Sequence, residues 1–166
     1  MPVSDQGVTR DRYMLIPRVL VFVTRGTRVL LLRGSPTKRL WANKYNGVGG
    51  HVEPGEDILS AARRELLEET GLTAGLWLCG TVLVDTGENP GIGIFVFTGE
   101  CPVGEPKPSP EGTPEWVEFD DAPNLPAVED VPILLKQLRG MKRGDPPFAA
   151  RSFYKDEKLT IAFAEK

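Results

Sequence analysis

Residues 58–70 constrain the fold of this chain more than any other segment, because they contain neither glycine nor proline. Apolar residues recur at every fourth position from Ile58 to Leu66, a spacing that predicts a helix with one apolar face. Asp57 stands directly before the segment as a candidate N-cap, and Gly71 stands directly after it as a stop signal. The sequence therefore predicts one helix here, with a single face packed against a core.

Three acidic side chains lie on the predicted helix. Glu65, Glu68 and Glu69 are separated by three and four residues, so they share one face on successive turns. Carboxylates held in so narrow an arc repel each other, and a divalent cation between them removes that repulsion. Ligation by oxygen alone favours Mg²⁺, with Mn²⁺ as an alternative, over zinc. A solvated acidic surface with an Arg64–Glu68 ion pair is the other interpretation of this pattern.

The glycines around the helix favour the metal site over a plain acidic surface. Gly49 and Gly50 permit a close approach of the backbone and expose carbonyl groups that can join a coordination shell. Residues 50–72 run Gly-His-Val-Glu-Pro-Gly-Glu, then seven residues, then Arg-Glu-Leu-Leu-Glu-Glu-Thr-Gly-Leu. This string resembles the Nudix box at every defining position, so the chain is similar to the Nudix hydrolases.

The resemblance assigns roles to the residues of the box. It implies metal binding by Glu65, Glu68 and Glu69, with the backbone carbonyl of Gly49 completing the site. It also implies that Arg64 orients one of these glutamates. The reaction class that follows is cleavage of a nucleoside diphosphate linked to another group.

Two further polar residues of the box are expected to lie outside the chemistry. Glu56 is expected to brace the loop against the helix. His51 is the only histidine of the chain and falls at an unconstrained position of the box, so we expect it at the surface.

Segments outside the box resemble the MutT-type branch, which hydrolyses 8-oxo-dGTP and related oxidised purine nucleotides. The resemblance covers residues 14–164 and rests on residues 76–101, 111–116 and 148–154. In that branch a glutamate five residues before a tryptophan supplies an extra acid near the metals. Glu111 is the match in this chain, and one loop carboxylate among several is its alternative interpretation.

The same branch suggests residues that contact the base. The approach to the box, Tyr45-Asn46-Gly47, resembles the branch and implies that Asn46 presents its amide to a purine edge; a simple turn residue is the alternative. Glu129 and Asp130 match an acidic pair that precedes the last helix. The tryptophan that comes before this pair in the branch is absent here, and Asp130 can alternatively serve as a helix N-cap.

The remaining pattern predicts strands around two helices, in an α+β order that agrees with the α/β/α sandwich and mixed sheet of the Nudix fold. Beside the first helix, the elements expected are hairpin strands Val19–Thr24 and Val29–Leu32, an antiparallel pair Leu76–Asp85 and Gly91–Cys101, a short strand Trp116–Phe119, a helix through Arg139 with Ile133, Leu134 and Leu138 facing inward, and a closing hairpin Phe148–Tyr154 and Leu159–Phe163. The length of 166 residues predicts a single domain, with residues 1–13 as a flexible tail.

Charge and composition limit the classes of binding partner that this chain can have. The net charge of −3 and the absence of a Lys/Arg cluster weigh against a nucleic-acid polymer. The apolar run Val19–Val23 is far shorter than the roughly 20 residues of a membrane span. Cys79 and Cys101 lack metal-type spacing and are expected to be buried thiols in a reducing, cytoplasmic compartment. The expected partner is a small nucleotide, and the expected assembly is a monomer or a homodimer.

The sequence therefore predicts a Mg²⁺-dependent pyrophosphohydrolase that converts oxidised purine nucleoside triphosphates to monophosphate and pyrophosphate. Water is the expected nucleophile, and one glutamate among Glu65, Glu68, Glu69 and Glu111 takes its proton. Other substrates stay open: a dinucleoside polyphosphate, a nucleotide sugar or a capped RNA. A nucleotide-sensing module without turnover is the alternative from another class, and the intact acidic set argues against it.

Overall fold

A mixed β-sheet flanked by two helices makes up the fold. The computed structural model describes residues 2–165. Within these residues the elements are β1 (Leu15–Arg25), β2 (Arg28–Gly34), β3 (Tyr45–Asn46), β4 (Val48–His51), α1 (Ile58–Thr70), β5 (Trp77–Val84), β6 (Gly91–Glu100), β7 (Gly112–Glu118), α2 (Val131–Arg139), β8 (Phe148–Lys155) and β9 (Lys158–Phe163), with short 3₁₀ turns at Val3–Gln6 and Ala122–Asn124.

The sheet combines parallel and antiparallel pairs. Its strand order is β3-β2-β1-β6-β5-β8-β9, with β4 paired to β1 and β7 paired to β2. Strands β1 and β6 run parallel, as do β5 and β8, and the other pairs are antiparallel. The predicted opening hairpin, the second antiparallel pair and the closing hairpin are all confirmed.

Helix α1 has the predicted bounds and both predicted ends. The Asp57 carboxylate accepts hydrogen bonds from the backbone N–H groups of Leu59 and Ser60, both at 2.9 Å. Gly71 closes the helix at φ 73°, in the left-handed region, and its N–H donates to the Leu67 carbonyl at 2.8 Å. The start and the stop of this helix are therefore set by residues adjacent to it in sequence.

The two helices cover opposite faces of the sheet, which confirms the predicted α/β/α sandwich. Alternate residues of β1 enter different cores: Leu20 and Phe22 pack with Leu134 of α2, while the valines at 19, 21 and 23 pack with Leu66 of α1. Burying a side chain such as Leu66 contributes about 1.5–3 kcal/mol. We call these the α2 face and the α1 face.

Two expectations for the second half of the chain were wrong. The strand expected at Trp116–Phe119 begins earlier, at Gly112, because β7 pairs with β2 along its whole length. Ile133 was expected to face inward, but it is 36% exposed, and Val131 and Leu135 are buried instead.

Asp130 occupies the position before α2 without capping it. Its backbone is in the α region, at φ −80° and ψ −22°, and its side chain makes no capping hydrogen bond. A capping residue needs extended dihedral angles for its carboxylate to reach the first free N–H groups. The N-cap interpretation of Asp130 is therefore wrong.

Both cysteine side chains, Cys79 and Cys101, are buried free thiols, as expected. Part of the expected tail is held in place: Asn89 donates to the Arg12 carbonyl at 3.0 Å and accepts from the Met14 N–H at 2.9 Å. Met1 lies outside the described residues. No helix within residues 2–165 has the length and apolar character needed to cross a bilayer.

Candidate active site

Arg64 joins the acidic residues of α1 to the loop before it. Its guanidinium donates to both carboxylate oxygens of Glu56, at 2.6 and 2.9 Å. Nη1 donates to Glu65 at 2.9 Å and to Glu68 at 3.3 Å, and Nη2 donates to the His51 carbonyl at 3.0 Å. One side chain thus fixes the positions of two of the candidate metal-binding glutamates relative to the loop.

Glu56 braces the loop, as predicted from the sequence. Its carboxylate also accepts the backbone N–H of Glu53 at 3.0 Å. The hydrogen bonds from Arg64 lower the pKa of Glu56 to about 2, so this carboxylate is ionised at neutral pH. The imidazole of His51 lies at the surface.

Glu65 lies against β4, where only a glycine leaves it room. A Cβ built on Gly50 would overlap the Glu65 carboxylate. The Glu65 side chain is only 13% exposed. The glycine at position 50 therefore makes the close approach between α1 and β4 possible, with an ionisable group at the contact.

Glu69 is the most buried acid of the set, with 6% exposure. Its Oε2 accepts the backbone N–H of Gly49 at 3.3 Å. Burial raises the pKa of Glu69 to about 8, and the negative charges of Glu65 and Glu111 add to this shift, while the Gly49 N–H and Lys38 oppose it. The carboxyl group is therefore poised to lose its proton when positive charge arrives.

Glu111 reaches the same region from a different part of the chain. It lies in the loop before β7, and its carbonyl accepts the backbone N–H of Ser35 at 3.0 Å. Its carboxylate pairs with the Lys38 ammonium at 2.7 Å and is half exposed. Lys38, its ion-pair partner, lines the same cavity as Glu69, so Glu111 lies near the acidic residues of α1.

The donor set fits a divalent cation that prefers oxygen. Glu65, Glu69 and Glu111 are close enough for their charges to oppose ionisation of Glu69, and a cation between them would reverse that effect. Within residues 2–165, no three acidic, histidine or cysteine side chains are already gathered as a ligand set. Glu68 is 60% exposed and turned toward Arg64. The carboxylates share a helical face as predicted. Arg64 bridges Glu65 and Glu68, while Glu69 is buried and hydrogen-bonded to the Gly49 N–H.

A cavity of about 100 Å³ opens beside Glu69. Glu69 and Asn46 both line it, together with two positive side chains. The full lining is Leu32, Gly34, Lys38, Trp41, Lys44, Asn46, Gly47, Gly49 and Glu69. Asn46 lies in β3, paired with Leu32, and its Oδ1 accepts the backbone N–H of Gly47 at 2.8 Å.

The acidic pair Glu129–Asp130 lies next to β3. Residues 126–128 run alongside Tyr45, which donates its N–H to the Pro126 carbonyl and accepts from the Val128 N–H, both at 2.9 Å. Asp130 Oδ1 is buried and has no hydrogen-bond partner in the described part of the chain. Burial raises the pKa of Asp130, and the charge of Glu129 adds to the shift. The segment that carries the acidic pair thus follows residues that run beside β3, the strand that holds Asn46.

Sequence reasoning missed several residues around this site. Tyr154 donates its hydroxyl to Glu129 at 3.3 Å, and its pKa is raised by burial and by the negative charges of Glu129 and Asp130. Its ring is 63% exposed, beside the pair that lacks the expected tryptophan. Lys38 and Lys44 come from the turn-rich stretch after β2, where only their positive charge gave a signal.

Known proteins resemble this chain over the segment that contains the acidic helix α1. The NUDIX domain family matches residues 14–138. The chain is a Nudix hydrolase. It is 42% identical to an oxidized purine nucleoside triphosphate hydrolase of Danio rerio over 106 aligned residues. The alignment covers 63% of this chain and 67% of that protein. As a Nudix hydrolase it is a pyrophosphohydrolase, an enzyme that cleaves phosphoanhydride bonds.

Two further known proteins resemble this Nudix hydrolase, one in sequence and one in structure. It is 32% identical to the NAD-capped RNA hydrolase NudC of Stutzerimonas stutzeri, over 80% of this chain and 48% of that protein. The crystal structure of a MutT protein from Bacillus halodurans superposes with a TM-score of 0.74 and 27% identity, covering 90% of this chain and 97% of the other. Nudix hydrolases generally use a divalent metal, which agrees with the oxygen donors described above.

Proposed function

We propose that this Nudix hydrolase converts oxidised purine nucleoside triphosphates, such as 8-oxo-dGTP, to the monophosphate and pyrophosphate, with Mg²⁺ as cofactor. The observation that carries the proposal is the cavity that Glu69 and Asn46 line together. The segment that leads into Asp130, whose buried Oδ1 has no hydrogen-bond partner within residues 2–165, runs beside Tyr45, the neighbour of Asn46. The cavity suits phosphates, and the polar residues around β3 suit the edge of a base. The similarity to the Danio rerio hydrolase supports the same substrate class.

The acidic side chains would hold the cation. Glu65, Glu68, Glu69 and Glu111 offer carboxylate oxygens, and the Gly49 carbonyl would complete the set. When bound, Mg²⁺ neutralises charge on the phosphate oxygens and makes water a better nucleophile. Mn²⁺ prefers the same oxygen ligands.

Around that cation, the protein's own residues would hold the metal ligands in place and take the proton of water. Arg64 holds Glu65 and Glu68 at fixed positions through hydrogen bonds of 2.9 and 3.3 Å. One of the four glutamates takes the proton of the attacking water, and the attack in line with the leaving oxygen releases pyrophosphate. Lys38, at the mouth of the same cavity, adds positive charge near the phosphates.

The base would be read by polar residues around β3. The Asn46 amide can donate and accept, and Asp130 can accept when ionised or donate when protonated. Oxidation of guanine at C8 converts N7 from an acceptor to an N–H donor, so an acceptor facing N7 separates the two bases. Glu129 and Asp130 supply such acceptors directly after the segment that is hydrogen-bonded to Tyr45.

A panel of nucleotides with Mg²⁺ tests the substrate class. It should include 8-oxo-dGTP, dGTP, a dinucleoside polyphosphate, a nucleotide sugar and NAD-capped RNA, with turnover and products measured for each. We expect the highest kcat/KM for 8-oxo-dGTP, with monophosphate and pyrophosphate as the only products. Turnover of another member and none of the triphosphates would contradict the proposal.

Capped RNA is the second candidate, because of the similarity to the NudC relatives. The net charge of −3 favours a small nucleotide over an RNA chain, since binding of a polyanion needs an excess of positive charge. A cytoplasmic setting and a monomer or homodimer are the compartment and assembly that we infer from the composition. Turnover of any member of the panel would exclude a purely nucleotide-sensing role.

A further inference from the structure

Lys38 and Glu111 form an ion pair beside the cavity that contains Glu69. The Lys38 ammonium lies 2.7 Å from Oε2 of Glu111. Lys38 lines the cavity together with Glu69. The pair therefore joins a positive group that is expected to meet phosphate with a carboxylate that is expected to hold a cation. Each side chain has one proposed role, and the ion pair keeps both of them from it.

The two loops that carry these residues are also connected through their backbones. The Ser35 N–H donates to the Glu111 carbonyl at 3.0 Å, and the Lys38 N–H donates to the Ser35 carbonyl at 3.1 Å. These hydrogen bonds do not involve the Lys38 or Glu111 side chains. The ion pair can therefore open while the backbone connection between the loops stays in place.

The ion pair is also accessible to solvent and to ligands. The Lys38 side chain is 34% exposed and the Glu111 side chain is 51% exposed. Ion pairs with this degree of exposure contribute little stability, because water screens them. A divalent cation carries twice the charge of the ammonium group and attracts the Glu111 carboxylate more strongly. The Lys38 side chain is therefore a partner that a metal ion can replace.

We propose that Lys38 exchanges partners: it holds the Glu111 carboxylate in the free enzyme and passes to the phosphate oxygens of the nucleotide when Glu111 serves as a metal ligand. This inference rests on the proposed function and deepens it. An ammonium group only donates, so once Glu111 is engaged elsewhere, the phosphates are the acceptors that the reaction brings to the cavity. Lys38 thus opposes metal binding in the free enzyme and favours nucleotide binding in the loaded one.

Lys44 offers a matched control for the loss of charge. It lines the same cavity as Lys38. Within residues 2–165 its side chain takes part in no ion pair. Lys38→Met and Lys44→Met therefore remove the same charge from the same cavity, but only Lys38→Met releases Glu111.

The first measurement is the affinity of the nucleotide-free protein for Mn²⁺, obtained from the paramagnetic resonance signal of unbound Mn²⁺. Lys38→Met should bind Mn²⁺ about two- to fivefold more tightly than wild type, the range expected when one exposed ion pair no longer competes. Glu111→Gln should bind it more weakly. Most of the gain from Lys38→Met should disappear in the Glu111→Gln background, whereas any effect of Lys44→Met should be the same in both backgrounds.

The second measurement is the affinity for the α,β-imido analogue of dGTP at saturating Mg²⁺, by calorimetry. Lys38→Met should bind the analogue roughly tenfold more weakly, because a phosphate loses a charged donor. The two ligands should thus respond in opposite directions. Weaker binding of both would show that Lys38 only supports the fold, and it would overturn the proposal. Equal affinity for the analogue in wild type and variant would also overturn it.

The Glu111→Gln background separates partner exchange from a general effect of charge. A gain in Mn²⁺ affinity that persists in that background, or that Lys44→Met reproduces, would contradict the inference. An unchanged affinity of Glu111→Gln for Mn²⁺ would contradict it as well, because Glu111 would then not bind the metal. A wild type that binds Mn²⁺ but hydrolyses neither 8-oxo-dGTP nor dGTP would refute the proposed function alone, since the Mn²⁺ comparison still decides the role of Lys38.

Discussion

Arg64 and Glu56 form a bidentate ion pair, with Nε to Oε1 at 2.6 Å and Nη2 to Oε2 at 2.9 Å. The pair connects the helix that carries the acidic residues to the loop that precedes it. Because the planar guanidinium is held on two sides, its remaining nitrogen is directed at Glu65 and Glu68. The geometry of the acidic site therefore depends on Glu56, which is not itself one of the proposed metal ligands.

Glu56→Gln should lower the stability of the protein at pH 7 and reduce turnover. The pKa of Glu56 is about 2 in the folded protein against an ordinary value of 4.5, so its contribution is fully present above pH 4.5 and is lost as the pH falls through 2. Urea unfolding of wild type and variant from pH 2 to 7 measures this. The stability difference should shrink toward pH 2, and a constant difference would show that the ion pair does not stabilise the fold.

Glu69→Gln should reduce turnover by about 100-fold or more while the fold survives. Without metal, the variant should be more stable than the wild type at pH 7. The pKa of Glu69 is about 8 when folded, so between pH 4.5 and 8 the unfolded chain ionises this group more readily and the carboxyl opposes folding. Glu157→Gln, in the turn between β8 and β9, is the control. Near-normal turnover of Glu69→Gln would show that α1 does not belong to the active site.

Gly50→Ala should damage activity more than stability. The added Cβ would overlap the Glu65 carboxylate and push it away from β4, which changes the position of a proposed metal ligand. We expect a loss of kcat and a higher Mg²⁺ concentration for half-maximal rate. Gly140→Ala, where the nearest atom is 4.0 Å from the new Cβ, should change neither. An unchanged Mg²⁺ requirement in Gly50→Ala would mean that Glu65 does not bind the metal.

Asn46→Ala and Asp130→Ala should each impair selection of the base more than the phosphate chemistry. The expected loss of kcat/KM is about ten- to a hundredfold for 8-oxo-dGTP relative to dGTP, because the matching base loses a hydrogen-bond partner. Asp130→Ala should leave the melting temperature no lower, since its side chain makes no capping hydrogen bond. An equal loss for every base, or a loss of stability with intact selectivity, would argue against this base site.

Local signals in the sequence predicted local structure well. Helix α1 was predicted to the residue because Asp57 and Gly71 act on backbone groups within four positions of themselves. The same kind of signal failed at Asp130, where the chain enters α2 through α-region dihedral angles. A residue type indicates a cap only when the backbone conformation permits it, and tertiary packing decides that conformation.

Long-range relationships could not be predicted from the sequence. The spacing of the glutamates placed them on one helical face, but the burial of Glu69 depends on Gly49, twenty positions earlier. Strand β7 began earlier than its apolar residues suggested, since its pairing with β2 extends past Pro114.

The central claim is that Glu69 belongs to a metal-dependent site that hydrolyses oxidised purine triphosphates. The most direct measurement is the kcat/KM of wild type and Glu69→Gln for 8-oxo-dGTP and dGTP at saturating Mg²⁺, with the products identified. We predict that the wild type prefers 8-oxo-dGTP and yields monophosphate and pyrophosphate, and that Glu69→Gln loses the activity on both. Equal rates for the two substrates, or an unaffected variant, would contradict the account.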